Sequence, residues 1–344
     1  MFARLRGRLR CAGPGAGLTW FFRGGYHRCV NPRPEILAIS LAAVLGLILL
    51  SRPALRAQSS EQALIDRIST QFQAGQIDAA INEARGAVAQ YPKSSTLQQL
   101  LGAALFKKGL KTEAREAFRR ALELDPAGAQ NYFNLALVDL SENDYAAAAR
   151  SLEKYLSLQP GNAQARVLLG RAYHNLNRTL PAIEQFKKAL ALSPQLPLAH
   201  YHLGYAYQSQ GNLTAALSQY QQEMKLNPHF ADAYWLAGNI ELGRGNLDVA
   251  ESLFRRGRNV EPQSVEATYG LARVFVARKQ LAEAEAALHK VIELKPDHVE
   301  AHYALARAYQ QLGKQAEAER EYRVVAELHA RGKHQQSGIA GQRP

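Results

Sequence analysis

Two helical faces recur in every 34 residues of this chain. In residues 163–196, Leu169, Gly170 and Tyr173 fall at i, i+1 and i+4, with Arg166 three residues before Leu169. That spacing predicts one face of an α-helix. Ala182, Phe186, Ala189 and Leu190 then step by four, three and one, a second helical face. Asn177 lies between the two, where other segments place Gly75, Gly109, Gly211, Gly245 and Gly313. A tight helix–helix turn needs a residue that tolerates φ > 0. Pro92, Pro126, Pro160, Pro194, Pro228, Pro262 and Pro296 share the 34-residue grid, seven of the 14 prolines. Each forces its predecessor out of the α region and withholds an N–H, so each closes a second helix. Leu124, Leu158, Leu192, Leu226, Leu294 and Leu328 stand two residues before the grid points. The pattern predicts 16 helices over residues 61–330 and no sheet, each helix about four turns or shorter.

Small residues mark where the paired helices approach. Gly102, Ala136, Gly170, Gly204, Gly238, Ala272 and Ala306 hold that role in the first helix. Ala80, Ala114, Ala148, Ala182, Ala216, Ala250, Ala284 and Ala318 hold it in the second. With Leu169, Gly170, Tyr173, Ala182, Phe186, Ala189 and Pro194, residues 163–196 resemble the tetratricopeptide repeat family, whose pattern is W-x2-L-G-x2-Y followed by Ala, Phe, Ala and Pro. Residues 197–230 match it with Leu203, Gly204, Tyr207, Ala216, Tyr220 and Pro228; residues 95–128 do so with Leu101, Gly102, Ala114, Phe118, Ala121 and Pro126. The resemblance implies an all-α, right-handed α-solenoid of eight helix-turn-helix repeats: 61–94, 95–128, 129–162, 163–196, 197–230, 231–264, 265–298 and 299–330. Residues 61–94, with Arg67-Ile68 in place of Leu-Gly, read as the weakest copy and a cap. Asp139 and Glu241 replace the usual aromatic, and Glu223 replaces an alanine; all three read as local surface repacking. The last repeat has Ala330 in place of the closing proline, and residues 331–344 read as a disordered tail.

Charge separates a leader from the array. Residues 1–57 hold nine of the 42 basic residues and one of the 30 acids, so the remainder carries 33 against 29. A nucleic-acid surface wants a basic stripe on the folded domain, and the near-neutral repeats argue against one. Ile36 to Leu50 is a run of 15 residues without a charge, behind an Arg-rich flank. A spanning helix wants about 20 apolar residues, whereas a signal-peptide core runs to about 15. Residues 1–57 are therefore expected to be a basic leader with an apolar signal or anchor segment at 36–50, cut between Ala57 and Gln58 if cleaved. The basic flank stays in the cytoplasm, which sends the array of residues 58–330 outside it. Membrane contact is then confined to an uncleaved leader. An Arg-rich, acid-free residues 1–34 also fit a mitochondrial presequence. Both cysteines, Cys11 and Cys29, lie in the leader, so the repeats hold no disulfide framework and no thiol nucleophile.

No catalytic, cofactor or metal pattern is legible. His-Glu-x-x-His, a phosphate loop and a dinucleotide glycine pattern are missing from the repeats. His200 and His202 point roughly opposite ways on a helix. Asn177-Arg178-Thr179 and Asn212-Leu213-Thr214 match glycosylation acceptors but fall at turns, where Asn is expected. The chain reads as a non-enzymatic binder of a protein or peptide segment, with an aromatic glycan groove as the alternative.

In the family the first helices line the concave face. The resemblance puts Phe133, Val167, Tyr201, Trp235, Tyr269 and Tyr303 on that wall, and beside them Leu137, Arg171, Tyr205, Asn239, Arg273 and Arg307. Aromatics mixed with Arg have the composition of interface hot spots. Phe133, Arg171, Tyr201, Tyr205, Trp235, Asn239, Tyr269, Arg273, Tyr303 and Arg307 are the candidate partner-binding residues. The family's chaperone-tail clamp uses Lys and Asn at these points; Asn239 is here without a matching Lys.

Overall fold

The computed structural model describes residues 60–340, with side chains through Arg331. The first helices of the repeats are α1 (60–73), α3 (Ser95–Lys108), α5 (Ala129–Ser141), α7 (Ala163–Asn175), α9 (Ala199–Ser209), α11 (Ala231–Gly243), α13 (Val265–Ala277) and α15 (Val299–Gln311). The second helices are α2 (Ile77–Gln90), α4 (Lys111–Leu124), α6 (Tyr145–Leu158), α8 (Thr179–Leu192), α10 (Leu213–Leu226), α12 (Leu247–Val260), α14 (Leu281–Leu294) and α16 (Gln315–Ala340). Among the described residues there is no strand. The leader readings, including the apolar segment 36–50 and the Ala57–Gln58 cut, lie outside the described residues.

The turn and stop signals work as local chemistry predicts. Gly75, Gly109, Gly211, Gly245 and Gly313 adopt φ between +75° and +89°, and Asn143, Asn177 and Lys279 take the same role near +60°. Asn212 caps α10, its side chain accepting from the N–H of Ala215 at 3.1 Å. Ahead of the grid prolines, Asp125 (φ −137°, ψ 89°), Ser193 (−144°, 91°) and Lys295 (−142°, 90°) leave the helix for extended backbone. Several of the proline carbonyls find donors six residues on. Tyr132 Oη donates to the Pro126 carbonyl at 3.2 Å, Arg166 Nη2 to Pro160 at 2.7 Å and Tyr234 Oη to Pro228 at 3.0 Å. The position the family fills with Trp thus holds polar-tipped side chains that tie the inter-repeat turn to the next helix.

Each helix packs on its sequence neighbours, and first helices of successive repeats also touch, as α7 does α9 and α11 does α13. Second helices make no comparable contact with one another, so the first helices form the tighter, inner layer. The eight second-helix alanines, Ala80 through Ala318, are all fully buried between the layers.

Two expectations are corrected. Asp139, Glu223 and Glu241 are buried, not surface replacements. Asp139 accepts from Arg115 of the preceding repeat at 3.1 Å, and Glu241 takes Asn246 at 2.5 Å and Arg244 at 3.4 Å. Glu223 serves a helix that lacks its own cap. Ser94, Asn162, Ser264 and His298, on one 34-residue register, cap their helices with side-chain acceptors. Leu196 holds that register ahead of α9 and has no acceptor to offer. Pro197 and Leu198 (φ +63°) delay the helix start, and the Glu223 carboxylate accepts from the N–H groups of Leu198 and Tyr201, both at 3.2 Å. That arrangement supplies orphan donors of a helix N-terminus from the facing helix. The second correction is at the end: α16 continues to Ala340, so residues 331–340 are helical where an irregular tail was expected. Ala330 in the proline position leaves nothing to stop it.

Candidate protein-binding groove

The inner layer brings the sequence-predicted residues into a stripe with contacts from repeat to repeat. Tyr201 packs edge-on against Phe230 at 4.9 Å between ring centroids, and lies 6.3 Å from Tyr205. Tyr205 meets His174 of the preceding repeat edge-on at 5.2 Å. Arg273 donates to Asn239 Oδ1 one repeat back at 2.9 Å and lies over the Tyr269 ring at 6.0 Å. Tyr269 in turn packs on His298 at 4.7 Å, at the threshold of the next repeat. Tyr303 meets Tyr322 edge-on at 5.9 Å. Phe133 tilts against Tyr155 at 5.1 Å. Burial holds the Tyr201 and Tyr269 hydroxyls above their ordinary pKa, so both remain protonated donors.

The stripe is uneven in what it presents. Tyr205 and Tyr303 are 44% and 49% exposed, and Arg171, Arg273 and Arg307 are also exposed. Phe133, Tyr201, Trp235 and Tyr269 are half-buried and join the core clusters behind them. Trp235 packs against two clusters, while its indole N–H donates to Asp232 Oδ1 at 3.0 Å. Val167, on the predicted wall, is buried and offers nothing to a partner. His174 was not legible as a groove residue: a histidine in a variable helix position carries no signal until the fold sets it against Tyr205.

Two hollows open on this layer. One, about 420 Å³, runs along α15 and is lined by Tyr269, Val276, Tyr303, Ala304, Arg307 and Val325 among others. The other, about 270 Å³, lies in the N-terminal repeats between Phe72, Ala103, Phe106, Lys107 and Leu137. Among the described residues no cluster of His, Cys, Asp or Glu is placed to hold a metal ion, and no helix is long and apolar enough to cross a membrane.

Comparison with known families gives the same answer along the array. Models described as tetratricopeptide repeat match residues 65–129 and 201–263, and residues 139–179, 241–293 and 275–337; a TPR repeat model matches residues 181–211. The chain belongs to the tetratricopeptide repeat family. Among solved structures it is similar to the C-terminal part of a TPR repeat-containing protein from Cytophaga hutchinsonii, at 14% identity and a TM-score of 0.58, over 70% of this chain and 99% of that one. It is also similar to the APC/C hetero-tetramer Cut9-Hcn1, at 18% identity and a TM-score of 0.54, over 70% of this chain and 48% of that one. The crystal structure of MamA matches at 27% identity and a TM-score of 0.46, over 47% of this chain and 95% of that one. No curated protein sequence matches.

Proposed function

We propose that this chain is a non-enzymatic scaffold that holds a segment of another protein against the inner layer of its repeats, from Phe133 to Arg307. The observation that carries this reading is the pairing of exposed Tyr205 and Tyr303 with exposed Arg171, Arg273 and Arg307 on one continuous layer. Tyrosine supplies contact area at low entropy cost, and Arg adds directed hydrogen bonds. The uncharged run Ile36–Leu50 behind its Arg-rich flank favours action outside the cytoplasm. Exposed tyrosine faces also suit stacking on sugars, which is the second reading. Crosslinking pull-down with the full chain, mapped by mass spectrometry, tests the first: crosslinks should fall on the first helices from α5 to α15. Crosslinks confined to the second helices would overturn it, and retention of the chain by a glycan array without any protein partner would favour the second.

A further inference from the structure

The groove changes chemistry along its length. At the N-terminal repeats the hollow is walled by Phe72, Ala103, Phe106 and Leu137, with Lys107 as its one charged lining residue. From α7 onward the floor position that holds Ala103 and Leu137 is taken by Arg171, Tyr205, Asn239, Arg273 and Arg307. Among the described residues no carboxylate pairs with these guanidiniums: Arg171 and Arg307 meet none, and Arg273 donates to the neutral amide of Asn239 and lies over the Tyr269 ring. Some arginines elsewhere are clamped by acids, Arg115 by Asp139 and Glu142 and Arg278 by Asp248 and Glu251, while Arg166 and Arg256 are held by neutral partners. Of the acids near the stripe, Asp232 accepts the Trp235 indole. Glu300 also lines the hollow along α15 and is exposed there, while the neighbouring His298 Nδ1 accepts from the Ala301 N–H.

Arg273 and Arg307 occupy the same position in consecutive repeats, with Tyr269 and Tyr303 beside them; Arg307 and both tyrosines line a mostly apolar trough of about 420 Å³. We propose that this end of the groove takes an acidic peptide segment, in which two carboxylates meet Arg273 and Arg307 and a bulky apolar side chain between them enters the trough. The proposal rests on the groove reading above and adds the partner's chemistry to it. Packed helices stand about 8–10 Å apart, which an extended chain covers in roughly three residues. The expected recognition element is therefore a pair of Asp or Glu three positions apart, flanking Leu, Phe or a similar residue. Guanidinium–carboxylate pairing at a partly desolvated tyrosine wall is directional, because the Arg fork matches the carboxylate.

Panning a random 12-residue peptide library on the full chain tests this. The expected outcome is enrichment of net-negative peptides with the spaced acidic pair. Their affinity should fall at least tenfold in Arg273→Gln/Arg307→Gln, with the helical melting transition unchanged, and should weaken as salt rises. Enriched peptides without negative charge that still lose binding in Tyr205→Ala/Tyr303→Ala would overturn the acidic inference and leave the groove reading in place. Enriched peptides indifferent to both double variants would overturn both. Displacement of the peptides by an acidic oligosaccharide at lower concentration than by free peptide would overturn the assignment to a protein partner.

Discussion

The ring of Phe186 lies directly over the backbone of Gly170: a Cβ built on Gly170 would stand 2.6 Å from Phe186 Cε1. Gly102 under Phe118, Gly204 under Tyr220 and Gly238 under Phe254 repeat the relationship at 2.7–2.8 Å. In two repeats the first helix carries alanine and the second leucine, Ala136 with Leu152 and Ala272 with Leu288, all buried; in the last, Ala306 is paired in register with the half-buried Tyr322. The first repeat inverts the pair to Ile68 and Ala84, both fully buried. In the interior repeats a similar volume is divided differently between the two positions, as close packing of the paired helices requires.

Gly170→Ala should therefore destabilise. Overpacking costs about 1–3 kcal/mol, against which the helix-propensity gain of alanine is about 1 kcal/mol. Adding Phe186→Leu recreates the pair that Ala136 and Leu152 already form, and should recover most of the loss. A double-mutant cycle by denaturant unfolding reads this; simple additivity would refute the shared-volume account.

Glu223 tests a case where the family pattern misleads. Alanine is the usual residue at that position, as at Ala121 and Ala189, so pattern alone predicts that Glu223→Ala is harmless. The carboxylate, 1% exposed, instead serves the N–H groups of Leu198 and Tyr201. Its removal leaves both donors unpaired, at about 2 kcal/mol or more. Hydrogen exchange should accelerate first at the start of α9. Uniform exchange across the array would show that the cap is dispensable.

The scaffold was legible because its determinants are local. Turn glycines, grid prolines and buried alanines act within one repeat, and 34-residue spacing exposes them. Glu223 and Asp139 were misread because their partners lie on other helices: Glu223 answers a missing cap at Leu196, 27 residues earlier, and Asp139 answers Arg115. The groove positions could be listed from the register, but not ranked. Whether Trp235 or Tyr205 faces solvent depends on what stands behind each ring, and helix period carries no record of that.

His202 gives the array a pH dependence. Its ring stacks on Phe186 at 5.8 Å, and burial, with help from Arg171 and His174, lowers its pKa to about 4. The unfolded value is about 6.5, so between these limits the unfolded chain binds more protons than the folded one. The His202 contribution is complete above about pH 6.5 and is lost as pH falls toward 4, of order 2–3 kcal/mol at most. Leu168 and Leu236 hold the same position in the neighbouring repeats, so His202→Leu should fit and flatten the stability profile in that window. An unchanged acid slope in the variant would assign it to other groups.

The groove residues should divide by whether they carry binding alone or binding and fold together. Tyr205 and Tyr303 are the most exposed aromatics of the stripe, and truncating either to alanine should change stability by no more than about 0.5 kcal/mol. If they anchor the partner, each loses about 2 kcal/mol of binding, roughly thirtyfold. Trp235 differs, because it packs against two core clusters and is tied to Asp232. Trp235→Ala should lower the melting temperature as well as the affinity, with about 2–4 kcal/mol lost from the fold. Its affinity loss is thus not a measure of contact with the partner. Trp235→Phe is the informative variant: it keeps most of the packing volume and deletes the indole N–H. Affinity and melting temperature for all four variants should be measured on the full chain, using the crosslinked partner. A partner bound equally well by the folded Tyr205→Ala/Tyr303→Ala double variant would sit on another surface.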